Sequence, residues 1–223
     1  MSGKLGGERA SIGLAPGASP EAAGQDLKKY ETSNPVVKRL LDRWARRVGS
    51  TLEGVLVEAG SGSTILDVGI GEGLAIERIL GVDRPILAVE YRHDKLKAAC
   101  VRLPSMGGSV ADAGMLPFPD GSVDVVTSIE VLEHLVEPEQ AVVEMARVCR
   151  PGGAVVVSVP WEPWFRFGNL GRGKNITRFG NDPEHVGWYG PRSLAGLLRS
   201  GFDSVQVSTA FPWLVGVGRH PGV

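Results

Sequence analysis

The run Ile65-Leu66-Asp67-Val68-Gly69-Ile70-Gly71-Glu72-Gly73 constrains the fold of this chain more than any other stretch. It carries an apolar segment into a glycine-spaced turn and then directly into a helical pattern from about Glu72 to Leu80. Ile65, Leu66 and Val68 are the residue types that a parallel strand buried on both faces requires. Gly69, Gly71 and Gly73 let the backbone turn tightly and approach a ligand with no Cβ in the way. A helix behind such a turn directs unpaired N–H groups and its positive dipole end at the turn, which suits a carboxylate or a phosphate.

Beyond that junction the chain alternates between two periods. The patterns read strand 64–68, helix 72–80, strand 85–89, helix 93–102, strand 107–111, strand 123–128, helix 137–148 and strand 153–159. Helix 191–200, strand 203–209 and a last apolar strand near 213–218 follow. Nearly continuous apolar strands alternating with helices predict an α/β fold, a doubly wound and mostly parallel sheet covered on both faces. The short link before the last strand predicts an antiparallel hairpin ending the sheet.

At 223 residues the chain suits one such domain better than two. Residues 1–24 are rich in Gly, Ala, Ser and Pro and are expected to be a disordered tail, with a single domain over 25–223. A helical region is expected to begin near Asp26, to break at Ser33-Asn34-Pro35 and to resume with Asn34 as N-cap and Pro35 at the first helical position, with Val36, Val37, Leu40, Leu41 and Trp44 as its apolar stripe. The balance of 24 basic and 25 acidic residues argues against a nucleic-acid backbone as main partner. Cys100 and Cys149 lie far apart in apolar patterns, read as reduced core residues, and supply no metal cluster. No apolar run reaches the length of a membrane span, so a cytoplasmic protein without a transmembrane segment is expected.

The glycine spacing discriminates between ligands. A dinucleotide fingerprint needs a third glycine where Leu74 stands, and Asp67, two residues before the first glycine, repels a pyrophosphate but attracts an ammonium. An NAD(P)-dependent oxidoreductase is therefore disfavoured, and a ligand with both an amine and a carboxylate fits better. Glu90 ends the next strand, seventeen residues after Gly73, where an acid can accept hydrogen bonds from a ribose diol. Tyr91 follows, placed either against a base or simply exposed.

At this point the chain resembles the class I S-adenosylmethionine-dependent methyltransferases, whose first motif reads much like DVGIGEG. Leu116-Pro117-Phe118-Pro119-Asp120-Gly121-Ser122-Val123-Asp124 is similar to a segment of the type 11 group, with Val123 in place of an aromatic, and Arg150-Pro151-Gly152-Gly153 matches the turn into the fifth strand. The resemblance covers about residues 60–160. It implies a Rossmann-like sheet with an antiparallel final strand, S-adenosyl-L-methionine as cofactor, Asp112 on the adenine amino group and the backbone after it, at Ala113, on a ring nitrogen.

Ser128-Ile129-Glu130-Val131-Leu132-Glu133-His134-Leu135 then falls beside the transferable methyl. It lacks the N/D-P-P-Y/F sequence of enzymes that methylate base amines, and the chain lacks the three-cysteine cluster of radical enzymes. A polar displacement at the sulfonium methyl is expected, with Glu130 lining the cofactor or orienting the acceptor. His134 and His185 are candidate bases, since imidazole titrates near neutrality; the alternatives are that Glu133-His134-Leu135 belongs to the scaffold, as the resemblance implies, and that the pattern from His185 to Tyr189 folds the loop back.

An acceptor lid is expected at about 160–190, where Trp161, Trp164, Phe165 and Phe167 mix with Arg166, Arg172, Lys174 and Arg178. Rings among guanidinium groups suit an aromatic, anionic or lipid-like small molecule. Tyr30 is placed to cap the cofactor from the other side. The reaction expected is methyl transfer to an O, N or C nucleophile of a small molecule. The alternatives are a lipid or quinone-precursor methyltransferase and a non-catalytic protein that binds the same cofactor.

Overall fold

The computed structural model describes residue 30 and residues 32–164 and 185–221. The expected tail, the helical region near Asp26 and the central part of the expected lid lie outside the described residues. Helix α1 (Pro35–Ala59) starts as its sequence demands, with the Asn34 side chain accepting from the Val36 and Val37 amides and Pro35 at the first position. Its buried stripe runs Leu41, Trp44, Val48, Leu52 and Val55, well beyond the end of the expected stripe. Val36, in the first turn, is exposed rather than packed.

Then follow β1 (Ile65–Val68), α2 (Leu74–Leu80), β2 (Ile86–Glu90), α3 (His93–Arg102), β3 (Met106–Val110) and β4 (Val123–Ile129). A short 3-10 turn at Leu132–His134 leads to α4 (Pro138–Val148), β5 (Cys149–Pro160), α5 (Pro191–Leu198), β6 (Ser204–Ala210) and β7 (Trp213–Arg219). The seven strands order as β3-β2-β1-β4-β5-β7-β6. The first five are mutually parallel, and β7 runs antiparallel to both neighbours. This is the expected doubly wound sheet with an antiparallel C-terminal strand.

The C-terminal hairpin folds inward rather than ending the sheet with its last strand. Trp213 to Gly218 of β7 are buried, whereas β6 is largely exposed or half-buried. The more apolar strand takes the interior place and leaves β6 as the edge. Gly216 and Gly218 admit this packing, since a Cβ on Gly216 would lie 2.7 Å from Leu198 and one on Gly218 2.8 Å from Phe202.

Two core layers flank the sheet. One packs α1, α2 and α3 against residues such as Ile65, Ala88, Val125 and Val156; the other packs α4 and α5 against Leu66, Val126, Val155 and Val157. Alternate residues of each central strand feed opposite layers, as the continuous apolar runs require. Cys100 departs from expectation by being exposed on α3, while Cys149 is buried at the start of β5, where burial pushes its thiol up to about 12. β5 begins four residues earlier than its apolar run, because Cys149 pairs with Val123 before an irregularity that admits the Arg150–Gly153 turn.

Candidate functional site

The three glycines after β1 serve three different purposes. All have positive φ, 85° at Gly69, 56° at Gly71 and 81° at Gly73, a region that side chains other than glycine occupy at a cost. A Cβ on Gly69 would lie 2.5 Å from the Val131 side chain, and one on Gly73 would press on Leu103 and Arg102 at 3.1 and 3.4 Å. A Cβ on Gly71 would meet nothing within 4 Å. Gly69 thus fits the turn to the loop after β4, Gly73 fits it to α3, and Gly71 leaves open space. The left-handed Gly73 also delays the helix, so α2 starts at Leu74 and not at Glu72.

Carboxylates stand at the carboxyl ends of β1, β2 and β3. Asp67 is 1% exposed and accepts a short hydrogen bond from the Thr127 hydroxyl on β4. Burial pushes its pKa up to about 7; the Thr127 bond opposes the rise and the nearby Glu90 charge adds to it. Glu90 braces the turn, with Oε2 accepting from the Gly71 amide at 2.8 Å and Oε1 from the Arg92 amide at 3.0 Å. Each oxygen retains a lone pair for a further donor. Tyr91 follows, about half exposed.

Asp112 uses one oxygen to close an Asx turn with the Gly114 amide at 2.9 Å, which also fixes Ala113 between them. Its other oxygen, Oδ2, is buried and has no hydrogen-bond donor among the described residues. A buried acceptor of this kind is normally satisfied, so it suits a ligand N–H. The loop beyond it is stiff. Arg147 of α4 donates to the Leu116 and Phe118 carbonyls and pairs with Asp120 and Glu144, and Glu144 takes the Leu116 amide. Arg147, which ties this loop together, carries no local signal in the sequence.

The end of β4 carries the second group of residues. Glu130 adopts φ 58°, the one positive φ among described non-glycine residues. Its carboxylate accepts from the Tyr30 hydroxyl at 2.8 Å and the Trp213 indole at 2.6 Å. Tyr30 packs on Trp44, and Trp44 on Trp213, with centroids 6.0 and 5.6 Å apart. Glu130 and Tyr30 therefore brace each other.

His134 and His185 come together with ring centroids 5.1 Å apart and edge to face. The chain carrying His185 is fastened across the end of β4, since the Val186 and Gly187 amides both donate to the Glu133 carbonyl at 2.8 and 2.9 Å. The buried Tyr189 hydroxyl donates to the Leu132 carbonyl at 3.1 Å; burial first, and then the Glu133 charge, raise its pKa. Glu133 is 1% exposed, and it, His134 and His185 each place a donor atom within 4.8 Å of the others. In the sequence this trio is legible only as Glu133-His134 followed roughly fifty residues later by a histidine.

After β5, Trp161, Trp164 and Phe211 form an aromatic group with centroids 6.0 to 6.4 Å apart. Trp164 is 45% and Phe211 43% exposed. Phe165, Arg166, Phe167, Arg172, Lys174 and Arg178 lie outside the described residues. Among the described residues no helix is long and apolar enough to cross a membrane.

Against known proteins, the sequence profile of the family described as "Methyltransferase domain" matches residues 66–157. An uncharacterized methyltransferase of Mycolicibacterium gilvum is 33% identical over 182 residues, 72% of this chain and 71% of the relative. A demethylmenaquinone methyltransferase of Renibacterium salmoninarum is 32% identical over 158 residues, 70% of this chain and 65% of the relative. Other curated relatives are much longer, and the chain spans 35 to 39% of their length. Among solved structures, an S-adenosylmethionine-dependent methyltransferase from Aquifex aeolicus superposes with TM-score 0.59 at 15% identity, covering 90% of this chain and 97% of its own. That likeness speaks for the Rossmann-like fold, and the sequence relatives speak for the family. With glycine turn, strand-end acids and relatives in agreement, the chain belongs to the class I S-adenosylmethionine-dependent methyltransferase family.

Proposed function

We propose that this chain moves the methyl group of S-adenosylmethionine to an O, N or C nucleophile of a small-molecule acceptor. The observation that carries the proposal is the set of acids Asp67, Glu90 and Asp112 at the ends of three adjacent strands, with Glu90 bound to the amide of the unobstructed Gly71. The chemistry of that donor set fits the cofactor. Asp67 faces a cationic amine, Glu90 has lone pairs for a ribose diol, and Asp112 Oδ2 takes an adenine N–H; Ala113 and Tyr91 flank the base. Glu130, held by Tyr30 and Trp213, shapes the wall beside the transferable methyl.

When bound, the cofactor supplies an electrophilic methyl on a sulfonium. The protein's part is to orient an acceptor in line with it and, where the acceptor carries a proton, to remove that proton. His134 and His185 stand at the end of β4 for this. Calorimetric titration with S-adenosylhomocysteine tests the reading: saturable binding is expected, weakened by Asp67→Ala and by Glu90→Ala. No detectable binding would overturn it, and tight binding without turnover over a broad acceptor panel would favour a non-catalytic role.

A lipid or quinone-precursor acceptor is a second reading. It draws on the exposed Trp164 and Phe211 rings, grouped with Trp161 beside the site, and on the relative named demethylmenaquinone methyltransferase. Binding to anionic vesicles that Trp164→Ala weakens would support it, and indifference to vesicles of any charge would remove it.

A further inference from the structure

We propose that Glu133, His134 and His185 form a site for a divalent first-row transition ion, and that its open positions take an oxygen of the acceptor. The second part rests on the methyl-transfer reading above; the ion site does not. The three donor atoms lie within 4.8 Å of one another. Donors bound to one ion at about 2.0 to 2.2 Å are roughly 3 to 4 Å apart, so small side-chain rotations close the trio. The backbone fixes them beforehand. The Glu133 carbonyl holds the amides of Val186 and Gly187, the His134 amide donates to the Val131 carbonyl, and Tyr189 ties the segment to Leu132.

The ligand chemistry selects the metal class. Two imidazoles with one carboxylate favour zinc, iron or cobalt over magnesium and calcium, which prefer oxygen alone. Glu133 is 1% exposed, and a buried carboxylate is accommodated well at a metal ion. Three protein ligands leave coordination positions open.

The location gives the site its use. Val131, two residues before Glu133, is the side chain against which Gly69 is fitted, so the trio adjoins the glycine turn at the same sheet edge. With the ion bound the two imidazoles serve as ligands in place of acting as bases, and an acceptor hydroxyl on the ion loses its proton to solvent at lower pH. Its oxygen lone pair then forms a bond to the methyl carbon as the carbon–sulfur bond breaks and leaves its electron pair on sulfur.

The test uses the full chain, stripped with a chelator and dialysed against Zn²⁺ or Co²⁺ alone. One ion per chain is expected, with affinity at least tenfold weaker in His134→Ala and in His185→Ala, and a Co²⁺ absorption spectrum altered by Glu133→Gln. The urea-unfolding midpoint of His185→Ala should stay close to that of the parent, which shows that the fold survives. Less than one ion per chain, or equal affinity in all variants, overturns the ion site. Adding catechol, a plain oxygen ligand, should shift the Co²⁺ spectrum; no shift overturns the open positions. Failure to bind S-adenosylhomocysteine with the ion still bound would strike the methyl-transfer reading alone.

Discussion

The two sides of the site are built on different principles. On the side of β1, β2 and β3 the groups are backbone amides, glycines and one acid at each strand end, all within the span from Asp67 to Ala113. On the side of β4, β5 and β7, contacts join residues far apart in the chain, such as Tyr30 and Trp213 on Glu130, or Glu133 and His134 with His185. The first side is fixed by turn geometry, which tolerates little change. The second depends on packing between segments and meets the first at Val131, the side chain against which Gly69 is fitted.

The sharpest way to break that contrast is Gly69→Ala. Its Cβ would sit 2.5 Å from Val131 at φ 85°. Strain of about 3 kcal/mol should weaken S-adenosylhomocysteine binding roughly a hundredfold by calorimetry. An unchanged affinity would show that the turn is not the rigid part. Gly216→Val tests the other side. Overpacking against Leu198 and Val157 should lower stability by about 1 to 3 kcal/mol in urea unfolding, with the affinity for the same ligand kept.

A pH series separates the sides further. Asp67 is raised from 3.8 to about 7, so its contribution to stability is fully present below pH 3.8 and is lost as pH rises through about 7. The unliganded protein should therefore melt at falling temperature from pH 5 to 8. A cationic ligand amine prefers the ionised form, so affinity should tighten about tenfold from pH 6 to 8, and Asp67→Asn should flatten both trends. The smallest effect expected is Tyr30→Phe, which removes one hydrogen bond to Glu130 and should cost about 1 kcal/mol of stability.

What could be read from sequence follows the same division. The β1 junction, Glu90 and Asp112 are local signals, in which residue type and spacing within a few positions determine the conformation. The inward place of β7 depended on a competition between two apolar strands, and the bracing of Glu130 on residues 100 and 83 positions away. The pairing of His134 with His185 required the loop through Tyr189 to fold back over β4. Periodicity carries no record of such meetings, because they arise from tertiary packing rather than from propensity.

The inward place of β7 also has a consequence for the order in which the molecule can be completed. During synthesis β5 emerges long before its outer neighbour, and β6 has no partner until residues 213–219 follow. The five parallel strands thus precede β7 with β5 at an open edge, and the same late strand brings Trp213 to Glu130. Chain growth delivers the glycine turn early and the Trp213 brace on Glu130 last, so a truncation within β7 would leave a protein that has its glycine turn but an exposed, aggregation-prone margin.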